Sequence, residues 1–505
     1  MLWGRGVRLP AVGVVIRQGL KSTALQYVGV AIGIASQLFL YTQVPAEYGL
    51  VQVLIAAANV VLPFAMLGTY SLAVRYYPRF REPDAGRQGL LTALLLATAV
   101  GLALYLAAAP ALDGWLRERY FADTRADYRQ YIRYLPALVV CLALIKLLYQ
   151  YTLNFRRIVV PTFLEQFLLK LTLPALLLAF LLGYIGVEAV VRGVVANYAV
   201  ALVGMVAYLA YLGQLRLPRP SAAVRAAWRP MAGYAGFGIA SMLGTALAFR
   251  VDVVMVTAAL GFEAGGQYTI VLFIAEVISK PFVNVRAVLA SEVSAAWVDD
   301  DRATLTDLYR RSSVNLLLVA GYLFGGILVC YASLAQLAVN GEAMLLGGFG
   351  AFVLLGLSRV VDSATSINEY VISYSPRYRF NLLALGVLAA ANVALNLYLI
   401  PRYGLTGAGL ATLLSVTAYN AIKVLFAGFA FGIWPFGKTT LVALAGLAAC
   451  TAAVYALPLA GRWYVDIPLR GGAFTALVAA FAWYAGVSPE AEGVVRKAWA
   501  RVAGG

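Results

Sequence analysis

Seven basic side chains lie inside long apolar stretches of this sequence, where a charge is costly. They are Lys146, Lys170, Arg250, Lys280, Arg286, Arg359 and Lys423. Ionisable residues in such stretches indicate a transport pathway or a coupling site, because an ion in hydrocarbon needs a counterion or water beside it. Buried cations suit an anionic cargo such as a phosphate. All of these residues except Arg286 form the predicted cationic substrate-binding set.

Five acidic residues in the same stretches are candidates for binding a coupling proton or sodium ion. They are Asp252, Asp362, Glu276, Glu165 and Glu369. The chain has no histidine, so any proton coupling would use carboxylates. No other cofactor is expected, and no metal site is predicted.

The spacing of these charges predicts which of them share a helix face. At about 100° per residue, Arg359, Asp362 and Glu369 would line one face, and Arg250 and Asp252 would point about 160° apart. Glu276 and Lys280 are four residues apart and could pair. The alternative interpretation of all these charges is structural. They could be buried ion pairs that hold helices together, or basic side chains that reach the membrane edge.

The elements that must carry these residues are transmembrane helices. The 505 residues are 62% hydrophobic and 12% charged, with a mean hydropathy of +0.82, against about 25% charged residues in soluble domains. Apolar runs of about 20 residues can cross a bilayer as helices. Fourteen spans are predicted: 20–42, 49–74, 89–109, 132–154, 158–182, 189–213, 232–259, 265–290, 312–333, 345–371, 380–400, 405–428, 439–460 and 468–487. The predicted fold class is therefore an all-α polytopic membrane protein.

The net charge of +16 could indicate nucleic-acid binding, but its distribution indicates membrane topology. Of the 39 Lys and Arg residues, 23 fall in one alternate set of loops, 9 in the other set and 7 inside spans. This asymmetry predicts a bacterial inner-membrane protein with both termini cytoplasmic. No nucleic-acid partner is expected.

Several function classes are disfavoured by what the sequence lacks. Cys141, Cys330 and Cys450 have no spacing typical of a disulfide framework or a zinc site. No Walker-type glycine-rich loop is present, so ATP hydrolysis by this chain is not expected. The longest predicted outer loop, 110–131, is too short for a catalytic domain. The chain is therefore predicted not to be an enzyme.

A weak internal repeat predicts two related lobes. Val44–Gly49 corresponds to Gly261–Gly265, and Tyr184–Glu188 corresponds to Tyr403–Gly407. Such repeats commonly flank the central site of a transporter. The predicted organisation is a cytoplasmic segment 1–19, an N-lobe 20–213, a cytoplasmic linker 214–231, a C-lobe 232–428, a helix pair 439–487 and a cytoplasmic tail 488–505.

Three segments carry a resemblance to a known family. Asn392–Ala411 joins two helices through Ile-Pro-Arg-Tyr-Gly, Arg250–Tyr268 places an acid before a short turn and Gly-Gly-Gln-Tyr, and Glu292–Ser312 is a polar connector. Together they resemble the polysaccharide-transporter branch of the multidrug/oligosaccharidyl-lipid/polysaccharide exporter superfamily. The resemblance implies a flippase that moves a polyprenyl-(pyro)phosphate-linked oligosaccharide, such as an O-antigen unit, for surface polysaccharide biosynthesis. It also implies alternating access driven by proton or sodium counterflow, with membrane lipid, a polymerase and glycosyltransferases as partners.

Three alternatives stay open at this point. A drug-cation antiporter of the same superfamily usually has twelve spans, and its cavity should be more apolar or acidic. A lipid II flippase has fourteen spans, but its signatures near the first helices are absent here. A membrane glycosyltransferase or polymerase generally needs a larger outer loop.

Overall fold

The computed structural model describes residues 27–80, 89–119, 128, 130–155, 157–365, 367–458, 461–490 and 493. The predicted N-terminal segment 1–19, the start of the first span and most of the tail lie outside these residues. The described chain is built from helices and turns, and it divides into two compact units. Unit 1 comprises 1–246 and 261–263, and unit 2 comprises 247–260 and 264–505.

The helices of unit 1 follow the predicted spans closely. They are α1 (27–39), α2 (Pro45–Met66), α3 (Thr69–Arg75), α4 (Leu90–Arg119), α5 (Leu135–Leu153), α6 (Val159–Thr162), α7 (Leu168–Leu181), α8 (Val187–Tyr211), α9 (Ala222–Ala226) and α10 (Trp228–Phe249). A π-helical turn, Phe163–Phe167, joins α6 to α7. The last residues of α10 belong to unit 2.

Unit 2 contains the remaining helices. They are α11 (Val251–Leu260), α12 (Phe262–Val277), α13 (Phe282–Val298), α14 (Arg302–Gln336), α15 (Glu342–Gly347), α16 (Phe349–Ala364), α17 (Asn368–Ser373), α18 (Phe380–Phe431), α19 (Lys438–Tyr455) and α20 (Trp463–Ala485). Helices α16 and α18 pack together, and α14 packs against α16, α19 and α20.

The all-α membrane fold class is confirmed. Ten helices in the described chain are long and apolar enough to cross a bilayer, and α11 and the 288–298 part of α13 are shorter apolar helices. α18 covers two predicted spans, which Gly404 divides with a φ of 57° and ψ of −135°. The chain is therefore a multi-pass membrane protein. The lobe boundaries stay a prediction.

Several predicted spans are interrupted rather than continuous. Leu67 (φ 47°) and Gly68 (φ 74°) separate α2 from α3. Residues 278–281 separate α12 from α13, and α16 ends at Ala364 whereas α17 begins at Asn368. Hydropathy detects an apolar run but not a local break in its helix, so the sequence did not predict these interruptions.

The predicted outer segment 110–131 begins as helix rather than as an irregular loop. Helix α4 continues through Pro110 to Arg119, although the charged residues at its end suggested a loop. A proline within a helix removes one backbone hydrogen bond without ending every helix that contains it. The rest of this segment lies mostly outside the described residues.

A buried ion pair on α20 contacts α14 through hydrogen bonds. Arg470 Nε lies 3.2 Å from an oxygen of Asp466, and both side chains are at most 5% exposed. Arg470 also donates hydrogen bonds to the Val329 and Leu457 carbonyls, and Ser333 donates to Asp466. These charges, absent from the sequence-based candidates, therefore have a structural function.

Candidate functional site

Unit 2 contains a cationic side chain without a counterion in contact. Arg359, on α16, lies within electrostatic reach of Asp252, Glu276 and Asp362. Within the described chain it forms a salt bridge with none of them, and its buried Nε has no hydrogen-bond partner. A buried donor without an acceptor costs free energy. This arrangement leaves Arg359 able to receive an anionic group.

Two further predicted cations lie around the same carboxylate, Glu276. Lys280 Nζ is 3.5 Å from Glu276 Oε2, so these residues form the pair that their spacing predicted. The Lys280 side chain is 43% exposed and that of Glu276 is 31% exposed. Arg250 is exposed at the junction of α10 and α11, within electrostatic reach of Glu276. Lys280 therefore contacts Glu276, and Arg250 and Arg359 act on the same carboxylate electrostatically.

Asp252, on α11, is a buried carboxylate held by neutral groups. Its oxygens accept hydrogen bonds from the Tyr268 hydroxyl at 2.7 Å and from the Val253 N–H at 2.9 Å. It forms no ion pair among the described residues, and the predicted separation from Arg250 agrees with this. A buried carboxylate without an ion pair is stable only when other groups bind it.

Helix α18, which packs against the helix of Asp252, carries buried amide and hydroxyl side chains. The Thr412 hydroxyl neighbours that of Tyr268, and Asn396 donates to Asn392 Oδ1 at 2.8 Å. The Oδ1 atom of Asn396 is buried and accepts no hydrogen bond among the described residues. Sequence reasoning noticed Asn392 and Asn396 only as part of a family motif. Because α18 contacts α11, the side-chain oxygens of Asn392 and Asn396 are also candidate ligands for a cation.

Asp362 belongs to a separate polar network. Arg286 donates to its side chain at 3.0 Å and to its backbone carbonyl at 3.2 Å. Asn420 lies 3.4 Å from Asp362 and accepts hydrogen bonds from Thr365 and Asn368 at 2.8 and 2.9 Å. The network joins α13, α16, α17 and α18. For Arg286 and Asp362, the structural interpretation of the buried charges therefore has direct support.

Lys423 and Glu369 extend this network. Lys423 is buried and donates to the Tyr419 hydroxyl at 2.8 Å. It is within electrostatic reach of Glu369 and Asp362. The prediction that Arg359, Asp362 and Glu369 line one face assumed one continuous helix, whereas α16 ends at Ala364 and Glu369 lies on α17. The shared face therefore stays a prediction.

Unit 1 contains the remaining predicted charges. Lys146 Nζ, on α5, lies 3.5 Å from Oε1 of Glu165, which stands in the π-helical turn. The Tyr70 and Tyr149 hydroxyls are within electrostatic reach of Glu165. Lys170 packs against Gly29 of α1, where a Cβ atom would lie 3.1 Å from its Nζ. π-Helical turns are rare and frequent at functional sites.

The predicted residues thus form three groups. In unit 2, Lys280 pairs with Glu276, and Arg250 and Arg359 act electrostatically on Glu276 and Asp252. Lys423, Asp362 and Glu369 belong to the Arg286 network, and Lys146 pairs with Glu165 in unit 1. Among the described residues, no three His, Cys, Asp or Glu side chains are arranged to hold a metal ion.

Comparison with known proteins finds similarity only at the level of structure. No protein-family profile matches the sequence, and no curated protein matches it. A lipid II flippase, MurJ, in an inward-closed conformation aligns with 93% of this chain and 98% of its own, at a TM-score of 0.66 and 12% identity.

Two transporters of the MOP superfamily align over a smaller share of the chain. An inward-facing multidrug-resistance MATE transporter covers 83% of this chain and 98% of its own, at a TM-score of 0.62 and 14% identity. A transporter from Pyrococcus furiosus, described by the reverse polarity of its binding pocket, aligns with 83% of this chain and 95% of its own. Its TM-score is 0.53 and its sequence identity is 13%. The chain therefore shares the fold of these membrane transporters.

Proposed function

We propose that this protein is a MOP-superfamily flippase that moves a polyprenyl-(pyro)phosphate-linked oligosaccharide across the inner membrane. The observation that carries the proposal is Arg359 on α16, inside a span predicted from the sequence: among the described residues it contacts no counterion, and its buried Nε has no acceptor. Arginine binds phosphate through several N–H donors held in a plane. A phosphate oxygen would supply the acceptor that Arg359 lacks.

The surrounding charges favour an anionic cargo over a cationic one. Lys280 pairs with Glu276, and Arg250 and Arg359 act electrostatically on both Glu276 and Asp252, so three cations face two acids here. The side chains of Glu276 and Lys280 are about one-third or more exposed, so this group is accessible to a ligand. A drug cation would meet net repulsion here, because like charges at close range raise the free energy of binding.

The extent of the structural similarity supports a flippase over a twelve-span antiporter. The flippase aligns with 93% of this chain and the MATE transporter with 83%. The difference is about a tenth of 505 residues, which is the size of the segment from α19 to α20. Lipid II transport is the second candidate function, and the 93% alignment favours it.

Asp252 is the proposed site of the coupling ion. It is buried and bound by neutral groups, and the unpartnered Oδ1 of Asn396 lies on the helix that packs against it. Carboxylate, amide and hydroxyl oxygens suit a hard cation, and a proton on Asp252 would equally remove the buried charge. Binding of either ion would stabilise this part of unit 2.

The function is tested by transport in proteoliposomes. A polyprenyl-diphosphate oligosaccharide with a fluorescent sugar is placed in one leaflet, and its arrival in the other leaflet is measured by enzymatic or chemical accessibility. We expect transport by the wild type, a loss of at least tenfold in Arg359→Ala, and partial activity in Arg359→Lys. Arg402→Ala is the matched control, because Arg402 is exposed and stacks on Tyr398 at 3.7 Å. Normal transport by stable Arg359→Ala protein would contradict the proposal, and transport of lipid II alone would favour the second candidate.

A further inference from the structure

The segment that joins α8 to α10 exposes an unusual set of side chains. Residues 214–231 contain four arginines and no acidic residue. All four arginines, Arg216, Arg219, Arg225 and Arg229, are exposed. Within the described chain none of them forms an ion pair, whereas the exposed Arg192, Arg302 and Arg311 do. The segment therefore holds uncompensated positive charge.

Apolar side chains are exposed among these arginines. Trp228 is 61% exposed and Leu217 is 56% exposed. Trp228 is also the first residue of the membrane-spanning helix α10, and Arg229 lies over its ring at 5.8 Å. Tryptophan at the end of a spanning helix sits at the level of the lipid headgroups.

The segment has a fixed position in unit 1. Val224 and Ala227 are buried on one side of α9, and Ser221 caps that helix by accepting from the Val224 N–H at 3.3 Å. Gly89 has a φ of 74°, and a Cβ atom there would lie 2.7 Å from the Pro218 carbonyl oxygen. The backbone of the segment is therefore held against unit 1 while its arginines and Trp228 face outward.

We propose that residues 214–230 form a binding surface for anionic phospholipid headgroups, with Trp228 inserted at the interface. Arginines without counterions bind lipid phosphates, and clusters of basic residues next to a spanning helix are attracted to anionic lipid surfaces. Trp228 and Leu217 supply the apolar contact that free phosphate could not use. This lipid surface is separate from the cargo site proposed in unit 2.

The test is a lipid titration of the purified full-length protein in detergent. Thermal unfolding is followed while short-chain phosphatidylglycerol, phosphatidylcholine or inorganic phosphate is added. We expect phosphatidylglycerol alone to stabilise the wild type. In the double variant Arg225→Gln/Arg229→Gln, the phosphatidylglycerol concentration that gives half of the maximal stabilisation should rise about 25-fold, which is about fivefold per arginine. In Arg225→Lys/Arg229→Lys it should rise less, because the charge is kept.

The matched control is Arg402→Gln/Arg462→Gln, which removes two exposed arginines that each lie over a tyrosine ring. Because these two are not part of a cluster, the half-maximal concentration should change by less than about threefold. Brominated phosphatidylglycerol should quench part of the wild-type tryptophan fluorescence, and Trp228→Phe should lose that part. The proposal would be overturned if the two double-Gln variants had the same half-maximal concentration of phosphatidylglycerol. Stabilisation by inorganic phosphate alone, or equal stabilisation by phosphatidylcholine, would also overturn it.

Discussion

Lys146 Nζ and Glu165 Oε1 lie 3.5 Å apart, and this pair joins the centre of α5 to the π-helical turn before α7. A π-helical turn contains an extra residue, so it changes the direction of the side chains that follow. The other oxygen of Glu165 is buried without a hydrogen-bond partner. Glu165 therefore depends on Lys146 for most of its stabilisation.

A double-mutant cycle should measure this dependence. Lys146→Met leaves the Glu165 charge partly buried without its partner, and we expect the free energy of unfolding to fall by about 1–3 kcal/mol. Lys146→Met/Glu165→Gln should recover most of that loss, because no unpaired charge remains. Thermal unfolding in detergent provides the measurement. Additive effects of the two single substitutions would show that the pair is not coupled.

The buried pair of the C-terminal helices should be more sensitive. Asp466→Ala leaves Arg470 charged and buried, and we expect a loss of about 3–5 kcal/mol. Arg311→Gln, in the exposed pair with Glu490, serves as the comparison and should cost less than about 1 kcal/mol. Unfolding midpoints of the two variants give the test. A similar loss of unfolding free energy in both variants would argue against a stabilising role of the buried ion pair between Arg470 and Asp466.

Gly68 should tolerate no side chain. Its φ is 74°, and an added Cβ atom would lie 2.4 Å from the Ala235 carbonyl oxygen. We expect Gly68→Ala to destabilise the protein by about 2 kcal/mol or more, from backbone strain and overlap. Gly386→Ala is the control, because Gly386 is helical with open space around it, and it should be neutral or stabilising by about 0.5–1 kcal/mol. Equal behaviour of the two variants would contradict the tight contact.

Glu490 should make a small, pH-dependent contribution to stability. The hydrogen bond from Arg311 Nη2, at 2.6 Å, lowers the pKa of the Glu490 carboxyl below its usual value. A lowered folded-state pKa gives stabilisation that is present above the unfolded-state pKa of about 4.3 and is lost as the pH falls through the folded-state value. The difference in unfolding midpoint between wild type and Glu490→Gln should therefore be present at neutral pH and vanish near pH 3. Because Glu490 is exposed, the effect should stay below about 1 kcal/mol. A pH-independent difference would show that the ion pair is not its source.

The Asp252 group should respond to sodium. If the ion binds there, added sodium chloride should raise the unfolding midpoint of the wild type above that in choline chloride at equal ionic strength. Asp252→Asn should abolish the difference, and Asp307→Asn, an exposed acid on α14, should keep it. An undiminished sodium effect in Asp252→Asn would place the ion elsewhere.

Local sequence rules worked where two residues lie close along the chain. Glu276 and Lys280 are four residues apart and pair as predicted, although α12 ends at Val277 and Lys280 lies in the turn after it. The rotation rule does not extend from Arg359 to Glu369, because α16 ends at Ala364 and Glu369 lies on α17. The pairs Arg286–Asp362 and Lys146–Glu165 join residues 76 and 19 positions apart. No spacing rule within one helix can predict such contacts.

Composition and hydropathy by themselves determined that this is an all-α membrane protein, because hydrocarbon requires each spanning segment to satisfy its own backbone hydrogen bonds. The sequence also identified candidate charges inside apolar stretches, but Arg250 and Lys280 are exposed, and the buried pair of Arg470 and Asp466 was not among the candidates. Only the tertiary structure decided which of those charges are neutralised. Among the described residues, contacts between helices pair Arg286 and Lys146 with acids and leave Arg359 without one. Packing decides this, because an ion pair requires two atoms to lie within a few ångströms, whatever their distance along the chain.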